Sequence, residues 1–181
     1  GQTGVGKSSL INLIVGFFSP SSGSIMSDLS EINDENVYSW QKKISIVPQS
    51  IMLLDDSIET NIAFNELKDK KKLDICIKAV CLEGLVNEFN QKKNNLIGEN
   101  GKRISGGQRQ RIGIARALYR DTNILILDES FNSLDDKTKK IIMDNLKKLN
   151  KTIIIVTHLK KDLMICDSVL FIENKQISEI N

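Results

Sequence analysis

One histidine and three cysteines are the whole supply of imidazole and thiol in the 181 residues. Cys76, Cys81 and Cys166 show no C-x-x-C or other ligand spacing, so a zinc site lacks donors and the thiols read as reduced and mostly buried. No apolar run approaches the ~20 residues that a membrane-crossing helix needs. The longest candidate, Leu10 to Phe18, is interrupted by Asn12 and Gly16. Neither sign of charge prevails, with 25 Lys and Arg against 23 Asp and Glu. The densest basic run, Lys68-Asp69-Lys70-Lys71-Lys72, reads as a solvated face, and no nucleic-acid partner is expected. There is no internal repeat, low-complexity linker, initiator methionine or signal peptide. What remains is the composition of one globular domain, 40% hydrophobic and 27% charged. A chain of this length buries roughly 70% of its unfolded surface, so it builds a core without disulfide or metal staples. Disordered, collagenous and small secreted classes are excluded.

The first eight residues, Gly1-Gln2-Thr3-Gly4-Val5-Gly6-Lys7-Ser8, fit the phosphate-binding pattern G-x-x-x-x-G-K-[ST]. Closely spaced glycines let the backbone wrap an anion and turn its N–H groups inward at the positive end of a helix. Lys7 is placed to reach the β and γ phosphates, Ser8 to put a hydroxyl on Mg²⁺, and Ser9 to add a further phosphate contact. The apolar residues that follow, Leu10 to Phe18, are spread round a helix too widely for a one-sided amphipath, which fits a helix buried against a sheet. Such a loop belongs between a buried strand and that helix, and the strand would precede Gly1; the chain therefore reads as a fragment.

A second element is the continuous apolar run Asn123-Ile124-Leu125-Ile126-Leu127, which delivers Asp128 and Glu129 at its end. Runs of this kind are strands covered on both faces, and ligands of open α/β sheets bind at their C-terminal ends. Asp128 is a candidate for holding Mg²⁺ through water and Glu129 for polarising an attacking water. Spacing alone does not separate this from a strand that ends in a polar turn.

The segment Ile104-Ser105-Gly106-Gly107-Gln108-Arg109-Gln110-Arg111 resembles the signature of the ATP-binding-cassette ATPases, L-S-G-G-Q, with Ile104 in place of Leu. A serine hydroxyl and glycine N–H groups ahead of a helix make a second anion cup. Other motifs follow in the family's order: Val47-Pro48-Gln49 resembles the glutamine loop, Ser133-Leu134-Asp135 the aspartate loop, and His158, after Ile153 to Thr157, the switch histidine. The resemblance covers almost the whole chain. It implies that ATP is bound with Mg²⁺ by Gly1 to Ser9, Gln49, Asp128, Glu129 and His158 of one copy and by Ser105 to Gln108 of another, with Asp135 alongside. Glu129, His158 and Gln49 take the catalytic roles, and Ser8, Gln49 and Asp128 hold the metal. The upstream aromatic that stacks on adenine in the family lies outside the chain.

The expected fold is α/β, a P-loop ATPase core with a parallel sheet whose first strand is missing, plus an α-helical subdomain. The core is assigned to residues 1–54 and 119–181, and the subdomain with the signature to 55–118. Buried strands are expected at Ile44 to Val47, Ile124 to Leu127, Ile153 to Val156 and Val169 to Ile172. Helices are expected over Leu73 to Leu82, Gln108 to Tyr119 and Lys137 to Leu149. In the family's strand order, 5-1-4-3-2, the missing strand leaves a gap beside Ile153 to Val156. The isolated chain is therefore expected to fold poorly or to aggregate.

Ser105 follows Gln49 by only 56 positions, too few for the long insertion of the DNA-repair and chromosome-organising relatives. Ile97-Gly98-Glu99-Asn100-Gly101 and the stretch Ser57-Ile58 through Asn61-Ile62-Ala63-Phe64 resemble segments of exporters, and Ser39 to Ile44 resembles the lipid-linked oligosaccharide and polysaccharide flippase branch. Asn65 and Ser130-Phe131-Asn132 depart from the common pattern, the latter standing where Ala-Thr-Ser is usual. The resemblance thus implies the ATPase domain of a transporter at the cytoplasmic face of a membrane. Its partners are a transmembrane domain, fused upstream, and a second ATPase domain, normally an identical copy. Two alternatives stand beside it: a regulatory cassette that binds nucleotide without hydrolysis, and a soluble ATPase of DNA repair or translation.

Overall fold

The computed structural model describes residues 6–92, 94–164, 166–173 and 176–180. In chain order its elements begin with α1 (Lys7–Val15), β1 (Ile25–Ser27), β2 (Ser30–Ile32), α2 (Val37–Gln41) and β3 (Ile44–Val47). There follow α3 (Ile58–Ala63), α4 (Lys70–Ala79), α5 (Glu83–Asn90), a 3₁₀ turn at Glu99–Gly101 and α6 (Gly106–Tyr119). The last are β4 (Ile124–Asp128), α7 (Asp136–Lys147), β5 (Thr152–Val156), α8 (Lys160–Leu163), β6 (Val169–Glu173) and β7 (Gln176–Ile180). The chain divides into two compact units, residues 45–155 and residues 1–44 with 156–181.

The unit of residues 45–155 is built on a parallel sheet in the order β3-β4-β5. Val47 and the run Leu125, Ile126 and Leu127 are almost wholly buried, as a strand covered on both faces requires. Against this sheet lies α6, whose N-terminus is closed by a capping box: Ser105 Oγ accepts from the Gln108 N–H, and Gln108 Oε1 accepts from the Ser105 N–H. Ile112, Ile114, Ala115, Leu118 and Tyr119 fill its buried face, and α3 and α4 pack on it. Each neighbouring helix starts at a side-chain cap. Ser57 accepts from the Thr60 N–H at α3, Asp69 from Lys71 and Lys72 at α4, and Asp135 from Thr138 at α7. Helical layers on a parallel sheet are the α/β class the strand pattern implied.

In the other unit, α1 ends at Gly16, whose φ of +76° and position 2.5 Å from Val37 Cγ2 (measured from an added Cβ) admit only glycine. Trp40 of α2 ties back to α1 by donating to the Ile14 carbonyl at 2.7 Å. β1 and β2 form an antiparallel pair in the register Ile25 with Ile32.

The strand expected beyond the gap, Val169 to Ile172, lies outside the β3-β4-β5 sheet, as that order requires, and has a partner that was not expected. Val169 to Ile172 forms inside β6, and β6 pairs antiparallel with β7, Val169 opposite Ile180, in a sheet separate from β3-β4-β5. A partner two residues further along the chain closes the smallest loop, and local pairing has the lowest closure entropy. Among the described residues the parallel sheet therefore has three strands.

Candidate functional site

The phosphate-loop residues Gly1, Gln2, Thr3, Gly4 and Val5 lie outside the described residues. From Gly6 onward the chain forms the N-terminal turn of α1. Gly6 has φ +107°, Leu10 donates to its carbonyl at 2.9 Å, and Lys7, Ser8 and Ser9 occupy the first turn of α1 with both serines exposed. In the same unit His158 is exposed just after β5. Its turn is fixed from both sides: the Thr157 hydroxyl donates to the buried Asp162 carboxylate at 2.7 Å and accepts from the Leu159 N–H at 3.0 Å.

In the unit of residues 45–155 the strand ends bring Gln49, Asp128 and Glu129 together. Asp128 closes β4, and Glu129 follows with φ +48°, a left-handed conformation that a non-glycine side chain adopts only under constraint. The constraint is visible. Gln49 Nε2 and Asn132 Nδ2 each donate to Glu129 Oε2 at 3.1 Å. The turn beneath is anchored by the Ser130 hydroxyl, which reaches the Val47 carbonyl at 2.9 Å and the Asp128 carbonyl at 3.2 Å. Gln49 is itself held through its backbone, its carbonyl accepting from Gln110 Nε2 of α6 at 2.8 Å.

The signature residues make a second site in this unit. Ser105, Gly106, Gly107 and Gln108 line a cavity of about 440 Å³ together with Arg111, Ser133, Leu134 and Asp135. Because Ser105 Oγ already takes the Gln108 N–H, the glycine N–H groups are the helix donors left at the mouth. A Cβ on Gly107 would stand 2.8 Å from the Ser133 carbonyl oxygen, so only glycine lets the helix end approach the aspartate loop this closely. Asp135 caps α7, and the Thr138 N–H that it accepts at 2.9 Å holds its carboxyl below the ordinary value. Beside the glutamine loop a larger cavity of about 520 Å³ is lined by Pro48, Ile51, Met52, Phe64, Arg116 and Arg120 among others.

Sequence reasoning grouped Gln49 with Asp128 and Glu129 and named Ser105 to Gln108 and Asp135 from separate motifs; the cavity that joins the last two is seen only in the fold. Sequence reasoning missed Asn132, Ser130 and Gln110. Asn132 was visible only as a departure from a common pattern, and Gln110 carries no signal, since its role depends on the packing of α6 beneath Gln49. Of the residues expected to hold Mg²⁺, Gln49 and Asp128 lie in one unit and Ser8 in the other, and each offers the oxygen donor such an ion prefers. Among the described residues no group of three or more His, Cys, Asp or Glu could hold a metal ion.

A family model described as ABC transporter matches residues 1–132. An ATP-dependent lipid A-core flippase of Burkholderia orbicola (strain AU 1054) is 33% identical over 99% of this chain, which spans 30% of that protein. The ABC transporter ATM1 of Plasmodium falciparum (isolate 3D7) is 38% identical over 98% of the chain and 17% of its own length. Among solved structures, a bacterial Atm1-family ABC exporter with ATP bound superposes with a TM-score of 0.87 at 28% identity, over 99% of this chain and 32% of that one. The chain thus spans about a third or less of these relatives' length. The family model covers 132 of the 181 residues, and the chain belongs to the ABC transporter family.

Proposed function

We propose that this chain is the ATP-hydrolysing domain of an exporter or flippase and works as a head-to-tail pair at the cytoplasmic face of a membrane. The observation that carries the reading is Glu129, a carboxylate at the end of β4 fixed by two amide donors beside Asp128. A general base must be held within reach of its water, and this carboxylate is held. Glu129 would take the proton of the attacking water, Gln49 would orient that water or the metal, and His158 would meet the γ-phosphate. Lys7 and Ser9 would hold the phosphates, and Ser8, Gln49 and Asp128 the Mg²⁺. When bound, Mg²⁺ supplies neutralising charge on the phosphate oxygens.

Ser105 to Gln108 would close on the nucleotide of a second, identical copy, with Asp135 at the junction. Residues 55–118 act as the helical subdomain and residues 1–54 with 119–181 as the core. The groove beside the glutamine loop supports a partner there: an apolar floor with two arginines fits a short helix of an attached transmembrane domain. Closure of the pair would then turn membrane helices, and hydrolysis would release them.

Changing Glu129→Gln keeps the amide-compatible shape and removes the base. In the intact protein this variant is expected to bind ATP with unchanged affinity, to lose at least about a hundredfold in turnover, and to accumulate closed dimers. Turnover at the wild-type rate would remove Glu129 from the role of base.

A further inference from the structure

We infer that Asn132 is a positioning residue for hydrolysis, clamping the Glu129 carboxylate through its side-chain amide. The inference rests on the reading of Glu129 as the base. Gln49 and Asn132 both donate to one oxygen, Oε2, at 3.1 Å, but the two donors are held differently. Both side chains are exposed, but Gln49 comes from the segment after β3, 80 positions away in the chain. Asn132 belongs to the same tight turn as the base. Its N–H donates to the Glu129 carbonyl at 3.3 Å, Phe131 beside it is buried, and Ser130 pins the turn to the Val47 carbonyl.

The turn therefore fixes the distance between the Asn132 amide and the Glu129 carboxylate whatever Gln49 does. A glutamate side chain has three rotatable bonds, and a base samples unproductive rotamers unless something selects one. Asn132 selects it. Gln49 remains able to exchange its amide between Glu129 and other partners without releasing the base.

The test is steady-state ATP hydrolysis by the intact protein carrying Asn132→Ala, Asn132→Asp, Glu129→Gln, or Glu129→Gln with Asn132→Ala. Aspartate has the shape of asparagine and suits the same turn, but it replaces the donor by a negative charge facing Glu129. The expected results are a kcat for Asn132→Ala lowered about tenfold with KM for ATP within about twofold of wild type, and a kcat for Asn132→Asp lower still. Adding Asn132→Ala to Glu129→Gln is expected to cost nothing further, because the group it positions is gone. Wild-type kcat in either Asn132 variant, or a loss carried by KM alone, would overturn the role of Asn132 while leaving the base in place. A Glu129→Gln variant that turns over normally would instead overturn the reading on which the inference rests.

Discussion

At Gly113, midway along α6, an added methyl would lie 2.6 Å from Cδ1 and 2.9 Å from Cγ1 of Ile51. Ile51 is buried and stands two residues after Gln49, so relief of that overlap would shift the glutamine loop itself. Gly113→Ala is expected to cost about 1–3 kcal/mol by overpacking, read from the unfolding midpoint in denaturant. Unchanged stability would mean that the Ile51 side chain has room to turn aside. The thiols give a second residue-level expectation. Burial pushes the Cys76 thiol up to about 11, and the same cause raises Cys81 less far. At pH 7.5 Cys76 should carry about a hundredfold less thiolate than an ordinary thiol. Its alkylation by iodoacetamide should therefore be slow and should quicken about tenfold per pH unit up to its own pKa. Fast labelling of Cys76 near neutrality would show that the α4 face opens.

Tyr119, the last residue of α6, joins that helix to the start of α4. Its hydroxyl donates to the Leu67 carbonyl and accepts the Asp69 N–H at 2.7 Å, while the ring is almost fully buried. Tyr119→Phe keeps the packing and strands both backbone groups, an expected loss of about 1–3 kcal/mol, with hydrogen exchange quickening first in α4. Uniform exchange across the unit would mean that the two helices open together regardless of the hydroxyl. None of this was legible in the chain, because Leu67 and Asp69 lie some fifty positions from Tyr119 and no local pattern announces the bond. What was legible had either periodicity or a motif behind it. The apolar run of β4 predicted its place between carboxylates and α6, and α6 itself followed from Ser-Gly-Gly and the stripe Ile112, Ala115 and Tyr119. β1 and β2 escaped because three-residue strands hold too few side chains to show an alternation. β6 was found, and its separation from β5 was expected, but Gln176 to Ile180, which pairs with it, was not foreseen, since pattern gives a strand's existence and not its partner. The site divides in the same way. Gln49, Asp128, Glu129 and Ser105 to Gln108 are carried by motifs, whereas the Gln110 contact depends on tertiary packing and the Asn132 contact on the left-handed turn at Glu129, which no residue pattern announces.

Each copy of the chain carries two helix starts suited to an anion, α1 behind Lys7 and Ser8 and α6 behind Ser105. If a nucleotide site draws one start from each of two copies, a symmetric pair has two sites, and each site depends on both chains. The arrangement can be tested by mixing two defective forms of the intact protein, both in the Glu129→Gln background so that bound ATP is retained. One carries Lys7→Ala and the other Ser105→Arg, which fills the cavity at the signature. Every homodimer then has a lesion in both of its sites and should retain no ATP. In a mixed dimer one site combines both lesions and the other has neither, so random pairing should yield one retained ATP in about half of the dimers. A site completed within a single copy predicts something different, since every copy in the mixture carries one lesion and no dimer would retain nucleotide. Measured by rapid filtration with labelled ATP, recovery on mixing would establish that the α6 start of one copy serves the α1 start of the other, and no recovery would assign both starts to the same copy's site.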